Sequence, residues 1–252
     1  MKESPSLLPD DFDSRVANAV MTFWSTRRGS SSGKTQGGSR DAVISGKNMD
    51  GFIELVRQVA AHCGLPTESV HTRRRDVVLP GYFRPTKNWD VLVIHQGRLL
   101  AAFEFKSQVG SFGNNFNNRS EEVIGVAADL WAANRQNAFQ PYGFSHQSPT
   151  IASAPGPPLL NPMIQDDPRP PFLAWLMLLE DCPKSRSPVK VDESHFSVFP
   201  EFKGASYAER YRILCERLMN RQLYGAAALV LSESGEGGKS GGPIRPFQRR
   251  QD

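Results

Sequence analysis

Asn88-Trp-Asp90-Val-Leu-Val-Ile-His-Gln-Gly-Arg-Leu-Leu-Ala-Ala-Phe-Glu104-Phe-Lys106 reads as a β-hairpin. Asp90 opens the first strand, Gln96-Gly97 makes the turn, and Glu104 and Lys106 lie near the end of the second. Alternate side chains of a strand share a face. Glu104 and Lys106 therefore point together, Phe103 and Phe105 point the other way, and the hairpin brings Asp90 alongside. Two carboxylates on one patch repel by roughly 4 kcal/mol if about 4 Å apart near a protein surface. A divalent cation removes that penalty, so the pattern points to metal-assisted chemistry. An isolated Glu-x-Lys is ordinarily a solvated strand edge. What separates this one is the Asp-initiated strand, the tight turn and the apolar opposite face.

Outward from the hairpin, residues 77–80 suggest a short strand that precedes it. Residues 47–63 form an amphipathic helix, with Met49, Phe52, Ile53, Val56, Val59, Ala60 and Cys63 at helical spacing and Gly64 and Pro66 as its stop. Asp50 and Glu54 share its polar face and are candidate accessory carboxylates, although a solvated face is the favoured account of them. Residues 10–27 read as a first helix with Val16, Val20 and Phe23 on one side. After the hairpin, Asn118 can cap a helix with Glu121 at its third position and with Val123, Ile124, Ala127, Leu130 and Trp131 apolar. The run 172–179 is continuously apolar, as in a strand covered on both faces. Ser206-Tyr-Ala-Glu209 is a capping box, and the helix behind it carries Tyr207, Tyr211, Leu214, Cys215 and Leu218. Residues 226–231 make a last strand. The order predicts an α/β fold with a mixed central sheet flanked by helices. Residues 1–231 are expected to form a single domain with an irregular Pro-rich insertion near 140–171, and 232–252 a disordered tail.

The bulk properties set bounds on function. The chain has 252 residues, a net charge of +4 and 39% hydrophobic residues, which suit a globular protein with a polyanionic partner. No long apolar run or secretory leader is present, so a cytoplasmic protein without membrane association is expected. Cys63, Cys182 and Cys215 are too widely spaced for a zinc site and are expected to be reduced. Gly33-Lys34-Thr35 is not a phosphate-binding loop, because Arg28 stands where its first glycine belongs. Arg73-Arg74-Arg75 reads as a solvated basic loop.

Helix, strands, helix and strand, with Asp90, Glu104 and Lys106 so placed, resemble the PD-(D/E)xK nuclease fold. Longer strings are more specific: Gly46-Lys-Asn-Met-Asp-Gly-Phe52, Leu79-Pro-Gly-Tyr-Phe-Arg-Pro-Thr-Lys87, Phe112-Gly-Asn-Asn-Phe-Asn-Asn-Arg119 and Phe202-Lys-Gly-Ala-Ser-Tyr207 are similar to the XhoI family of type II restriction endonucleases. The resemblance covers roughly residues 14–231, and Trp89 stands where the superfamily motif has its proline. It implies a Mg²⁺-dependent homodimer that cuts double-stranded DNA at CTCGAG after the first C, leaving a 5′ overhang, beside a cognate DNA methyltransferase. Asp90, Glu104 and Lys106 are then the catalytic residues, and Asp90, Glu104 and the backbone carbonyl of Phe105 the metal ligands; one ion or two remains open. Gln108, on the same strand face, is a further accessory candidate. Asn114, Asn115, Asn117, Asn118 and Arg119 are candidate DNA contacts, since Asn pairs with adenine and Arg with guanine in the major groove. Arg84 and Lys87 are candidate phosphate contacts. A structure-directed repair or junction nuclease of the same fold, and a DNA-binding module without catalysis, are the alternatives.

Overall fold

The computed structural model describes residues 6, 8–31, 47–139 and 169–234. The Gly33-Lys34-Thr35 segment, nearly all of the 140–171 insertion and the tail from 235 lie outside the described residues. The hairpin forms as its sequence dictates. Strand β4 (Val91–His95) and strand β5 (Arg98–Gln108) are antiparallel, with His95 opposite Arg98. Gln96 and Gly97 turn with φ of 51° and 76°, the positive values that a two-residue hairpin turn requires.

Around this pair a five-stranded mixed sheet runs in the order β1-β4-β5-β6-β7. The edge strand β1 (Val70–His71) is antiparallel to β4. On the other side β6 (Phe172–Glu180) and β7 (Ala226–Ser232) run parallel to β5. The apolar run read as a doubly covered strand is β6. Leu173, Trp175, Met177 and Leu179 enter one core, and Leu178 enters the other. The first core lies under α3 (Phe112–Arg135) and α5 (Tyr207–Asn220), the second under α1 (Phe12–Ser31) and α2 (Asp50–His62). A single turn, α4 (Pro183–Arg186), packs on α5. Among the described residues no helix is long and apolar enough to cross a membrane.

Three expectations are corrected. The strand read at 77–80 does not join the main sheet: β2 (Val78–Pro80) pairs with β3 (Thr86–Asn88) in a separate two-stranded ribbon. The sheet instead opens with β1, whose two residues carry no detectable periodicity. The helix expected to be capped at Asn118 starts at Phe112, because Gly110 and Ser111 adopt φ of 70° and 47° and turn the chain sharply off β5. Ile124, counted among its core residues, is exposed. The Ser206–Glu209 capping box is present, with the Ser206 amide donating to Glu209 Oε2 at 2.7 Å.

The packing of α1 on α2 depends on one glycine. A Cβ built on Gly51 would lie 2.7 Å from Ala19 Cα and 2.8 Å from Ala19 O. Alanine gains about 1 kcal/mol over glycine in a helix interior. Forcing two helix backbones apart costs about 1–3 kcal/mol. We expect the steric cost to win, so Gly51→Ala lowers the urea midpoint; an unchanged or raised midpoint would show that Gly51 of α2 is not seated on Ala19 of α1 as described.

Candidate active site

β5 outruns β4. The last antiparallel pair toward its C-terminal end is Phe103 with Val91, and the Asp90 amide donates to Phe103 O at 3.3 Å. Past that point the β4-side edge of β5 has no strand beside it among the described residues, and Asp90 occupies the corner. Its Oδ2 accepts the Phe105 amide at 2.6 Å. A strand residue directs its N–H and C=O to the same edge. The Phe105 carbonyl therefore faces the Asp90 corner as well. The side chain of Phe105 packs on Phe52 of α2, whereas Glu104 points to the α3 side.

Glu104 is buried, and its two oxygens are taken by two lysines. Lys106 Nζ lies 2.5 Å from Oε1, and Lys87 Nζ lies 2.9 Å from Oε2. Lys106 also reaches Glu122 Oε1 at 2.9 Å, and Arg119 Nη1 reaches Glu122 Oε2 at 2.8 Å. The result is a line of five alternating charges from β3 across β5 to α3. Burial raises the Asp90 carboxyl to about 6, helped by the negative Glu104 and opposed by the Phe105 amide. Burial alone would lower the Lys106 ammonium, but Glu104 and Glu122 outweigh it and hold it above the ordinary lysine value. Burial likewise opposes ionisation of Glu122, and Lys106 and Arg119 overcome it, so its carboxyl stays below the ordinary range.

Hard oxygen donors suit a divalent cation such as Mg²⁺. The oxygen donors at this corner are Asp90, Glu104 and the Phe105 carbonyl, and the Asp90 carboxyl, raised by burial and then by Glu104, is one that a cation would relieve. Among the described residues no group of three or more His, Cys, Asp or Glu side chains is arranged to hold a metal ion, so the protein side chains offered here are the two carboxylates.

The remaining candidates divide. Lys87, read as a phosphate contact, joins the charge cluster around Glu104: it is mostly buried, bound to Glu104 and 4.8 Å over the Trp89 ring. Arg84 donates to Asp129 Oδ2 at 2.6 Å, and the Tyr82 and Phe83 amides both donate to Oδ1 at 2.8 Å. Asp129, on α3, thus fixes the β2–β3 loop, and Arg84 is a structural partner in it. Gln108 is neither an exposed polar residue nor aimed at the site; it is buried, accepts the Tyr211 hydroxyl and donates to Ser111 O. Asp50 and Glu54 are exposed on α2, which covers the opposite side of the sheet from Glu104, and Glu54 bonds Gln58 and Arg57. Asn115, Asn117 and Asn118 lie in the first two turns of α3, half-buried to exposed. Asn114 is in the same helix, but its side chain lies outside what the structure describes. Sequence reading missed Glu122. The spacing of Arg119, Glu122, Val126 and Leu130 along one helical face was a signal, but only the packing of α3 against β5 shows that this face meets Lys106.

Asp129 provides a separable test. Its side chain is only 6% exposed and loses three donors on truncation. Asp129→Ala is expected to cost about 2–4 kcal/mol in urea unfolding. It should also open the loop to chymotrypsin at Tyr82 and Phe83. Wild-type stability and protease resistance would show that the carboxylate does not hold the loop.

A mixed sheet with an acidic residue at the mouth of one strand and Glu-x-Lys on its antiparallel neighbour defines a restriction-endonuclease-like nuclease. The model of the restriction endonuclease XhoI family matches residues 28–147 and 161–241. The chain is 43% identical over 210 residues to the type II restriction enzyme BstVI of Geobacillus stearothermophilus, covering 81% of each chain. It is 42% identical over 214 residues to the type II restriction enzyme XhoI of Xanthomonas vasicola, covering 83% of this chain and 76% of that one. It is 44% identical over 192 residues to the type II restriction enzyme AbrI of Azospirillum brasilense, covering 74% of both. The chain belongs to the XhoI family of type II restriction endonucleases. No solved structure matches it.

Proposed function

We propose that this protein hydrolyses double-stranded DNA at CTCGAG, after the first C and with a 5′ overhang, as a Mg²⁺-dependent homodimer working beside a methyltransferase that protects the host site. The observation that carries the chemistry is the corner of β5, where Asp90, Glu104 and the Phe105 carbonyl meet the ammonium of Lys106. The site sequence, the overhang and the methyltransferase rest on the family resemblance. Asp90, Glu104 and the Phe105 carbonyl would hold Mg²⁺, which when bound supplies Lewis-acid polarisation of the scissile phosphate. The chain's own groups do the rest. Lys106 donates to the attacking water and to the phosphate oxygens, whose negative charge grows as water adds to phosphorus. Two carboxylates hold Lys106 protonated, so it acts as a donor and not as a base. The P–O3′ bond breaks as the water oxygen bonds to phosphorus; the water releases its proton to solvent and O3′ takes one up from solvent, leaving a 3′ hydroxyl and a 5′ phosphate. Asn115, Asn117, Asn118 and Arg119 would meet the DNA from the start of α3, with Asn114 in the same turn. Digestion of a phage genome with Mg²⁺, followed by sequencing of the ends, tests this reading. Discrete fragments ending in 5′-TCGA are expected. Ends scattered in sequence, or gathered at branched structures, would overturn it.

The homodimer has its own test. Among the described residues there is one Asp–Glu–Lys constellation, whereas a double-strand break takes two hydrolyses, and a two-fold assembly presents the same residues to both halves of a palindrome. Mixing wild-type protein with excess Lys106→Ala protein, under subunit exchange on a supercoiled one-site plasmid, should accumulate nicked circles. Linear product without a nicked intermediate, together with a monomeric mass on DNA, would rule the homodimer out.

A further inference from the structure

We propose that Glu122 is a positioning residue for Lys106, and that Arg119 influences hydrolysis through it. This rests on the endonuclease reading of the site. An exposed ion pair between residues three apart on a helix ordinarily does little. Here the same carboxylate has one oxygen on Arg119 at 2.8 Å and the other on Lys106 at 2.9 Å.

Lys106 has a long, flexible side chain whose ammonium must stop at one point. Two carboxylates from two different elements determine that point: Glu104 on its own strand and Glu122 on α3. Glu104 is already shared with Lys87, and as a metal ligand its oxygens would be committed to the cation. Glu122 is then the anchor that stays on Lys106 throughout turnover. Asn115, Arg119 and Glu122 fall four and three residues apart, so they form one stripe along the first turns of α3 that ends on the catalytic lysine. Arg119 holds the other oxygen of Glu122 and so fixes the carboxylate that in turn fixes the ammonium. The start of α3 is thereby coupled to the placement of Lys106.

The experiment uses the full chain and a duplex containing the cleavage site mapped for the wild type. Single-turnover cleavage is measured at saturating enzyme with Mg²⁺. DNA affinity is measured separately in Ca²⁺, and thermal melts confirm folding. Glu122→Gln, a near-isosteric change at a half-buried side chain, is expected to slow cleavage by about 10–100-fold with affinity within threefold of wild type. Glu122→Asp should recover most of the rate. Arg119→Ala should slow cleavage on its own but add nothing in the Glu122→Gln background, the non-additivity of residues that act as one unit. A Glu122→Gln protein that cuts within threefold of wild type, an Asp variant no better than Gln, affinity that falls as far as the rate, or Arg119 and Glu122 effects that multiply would each overturn the inference. A wild-type protein that makes no discrete cut overturns the endonuclease reading as well, whereas one that cuts normally beside an indifferent Glu122→Gln overturns the inference alone.

Discussion

Alanine at Asp90, Glu104 or Lys106 is expected to reduce DNA cleavage by ~10²–10³-fold or more, the scale of removing one preorganised electrostatic group. The three changes should differ in what they do to the fold. Lys106→Ala leaves Glu104 paired with Lys87 and Glu122 paired with Arg119, so stability should hardly move. Glu104→Ala strands Lys87, whose side chain is 13% exposed, leaves Lys106 with Glu122 alone, and should destabilise; Glu104→Gln is the milder control. Asp90→Ala removes a carboxylate that repels Glu104, so the metal-free protein should hold or gain stability. Lys106→Ala should still bind its DNA in Ca²⁺. Single-turnover cleavage read beside thermal melts separates loss of chemistry from loss of fold. Near-normal cleavage by Asp90→Ala or Glu104→Ala would remove the assignment of this corner as the active site.

The candidate catalytic residues were legible because their geometry is local. A period of two, one tight turn and one Asp at a strand mouth are sufficient to bring Asp90, Glu104 and Lys106 together, and β6 announced its doubly buried position by an unbroken apolar run. What sequence could not supply were partners distant along the chain. Val78–Pro80 looks like any short strand, and only its pairing with Thr86–Asn88 reveals that it leaves the main sheet and delivers Lys87 to Glu104. Arg84 reads as a free cation until Asp129, 45 residues on, is seen to hold it. The start of α3 was misjudged for a different reason. Asn118 and Glu121 imitate a capping box, whereas the turn that begins the helix is made by backbone at Gly110 and Ser111, with no side-chain cap to signal it.

Asp90→Asn is expected to stabilise the metal-free protein at pH 8 by about 1–3 kcal/mol, the scale of a carboxyl moved from 3.8 to about 6. The sign follows from proton binding. Between those two values the folded protein holds a proton on Asp90 that the unfolded chain has released, so stability falls as pH rises through the window. Above about 6 the penalty is fully present, and below 3.8 it vanishes because both states are protonated. Asparagine keeps an oxygen for the Phe105 amide without the charge. The gain over wild type should therefore appear at pH 8 and shrink toward zero near pH 4. A divalent cation acts in the opposite sense: a ligand that binds only the folded state stabilises by RT ln(1 + [L]/Kd). Mg²⁺ or Ca²⁺ should therefore raise the wild-type melting temperature at pH 8, by roughly 2–4 °C per kcal/mol for a chain of this size. It should do little for Asp90→Asn, so that saturating cation closes or reverses the gap between the two proteins. Thermal melts over pH 4–8, with and without cation, decide the matter. If Asp90→Asn is no more stable than wild type at pH 8, or if cation raises both melting temperatures equally, Asp90 is neither the strained carboxylate nor the cation ligand that its corner of the sheet suggests.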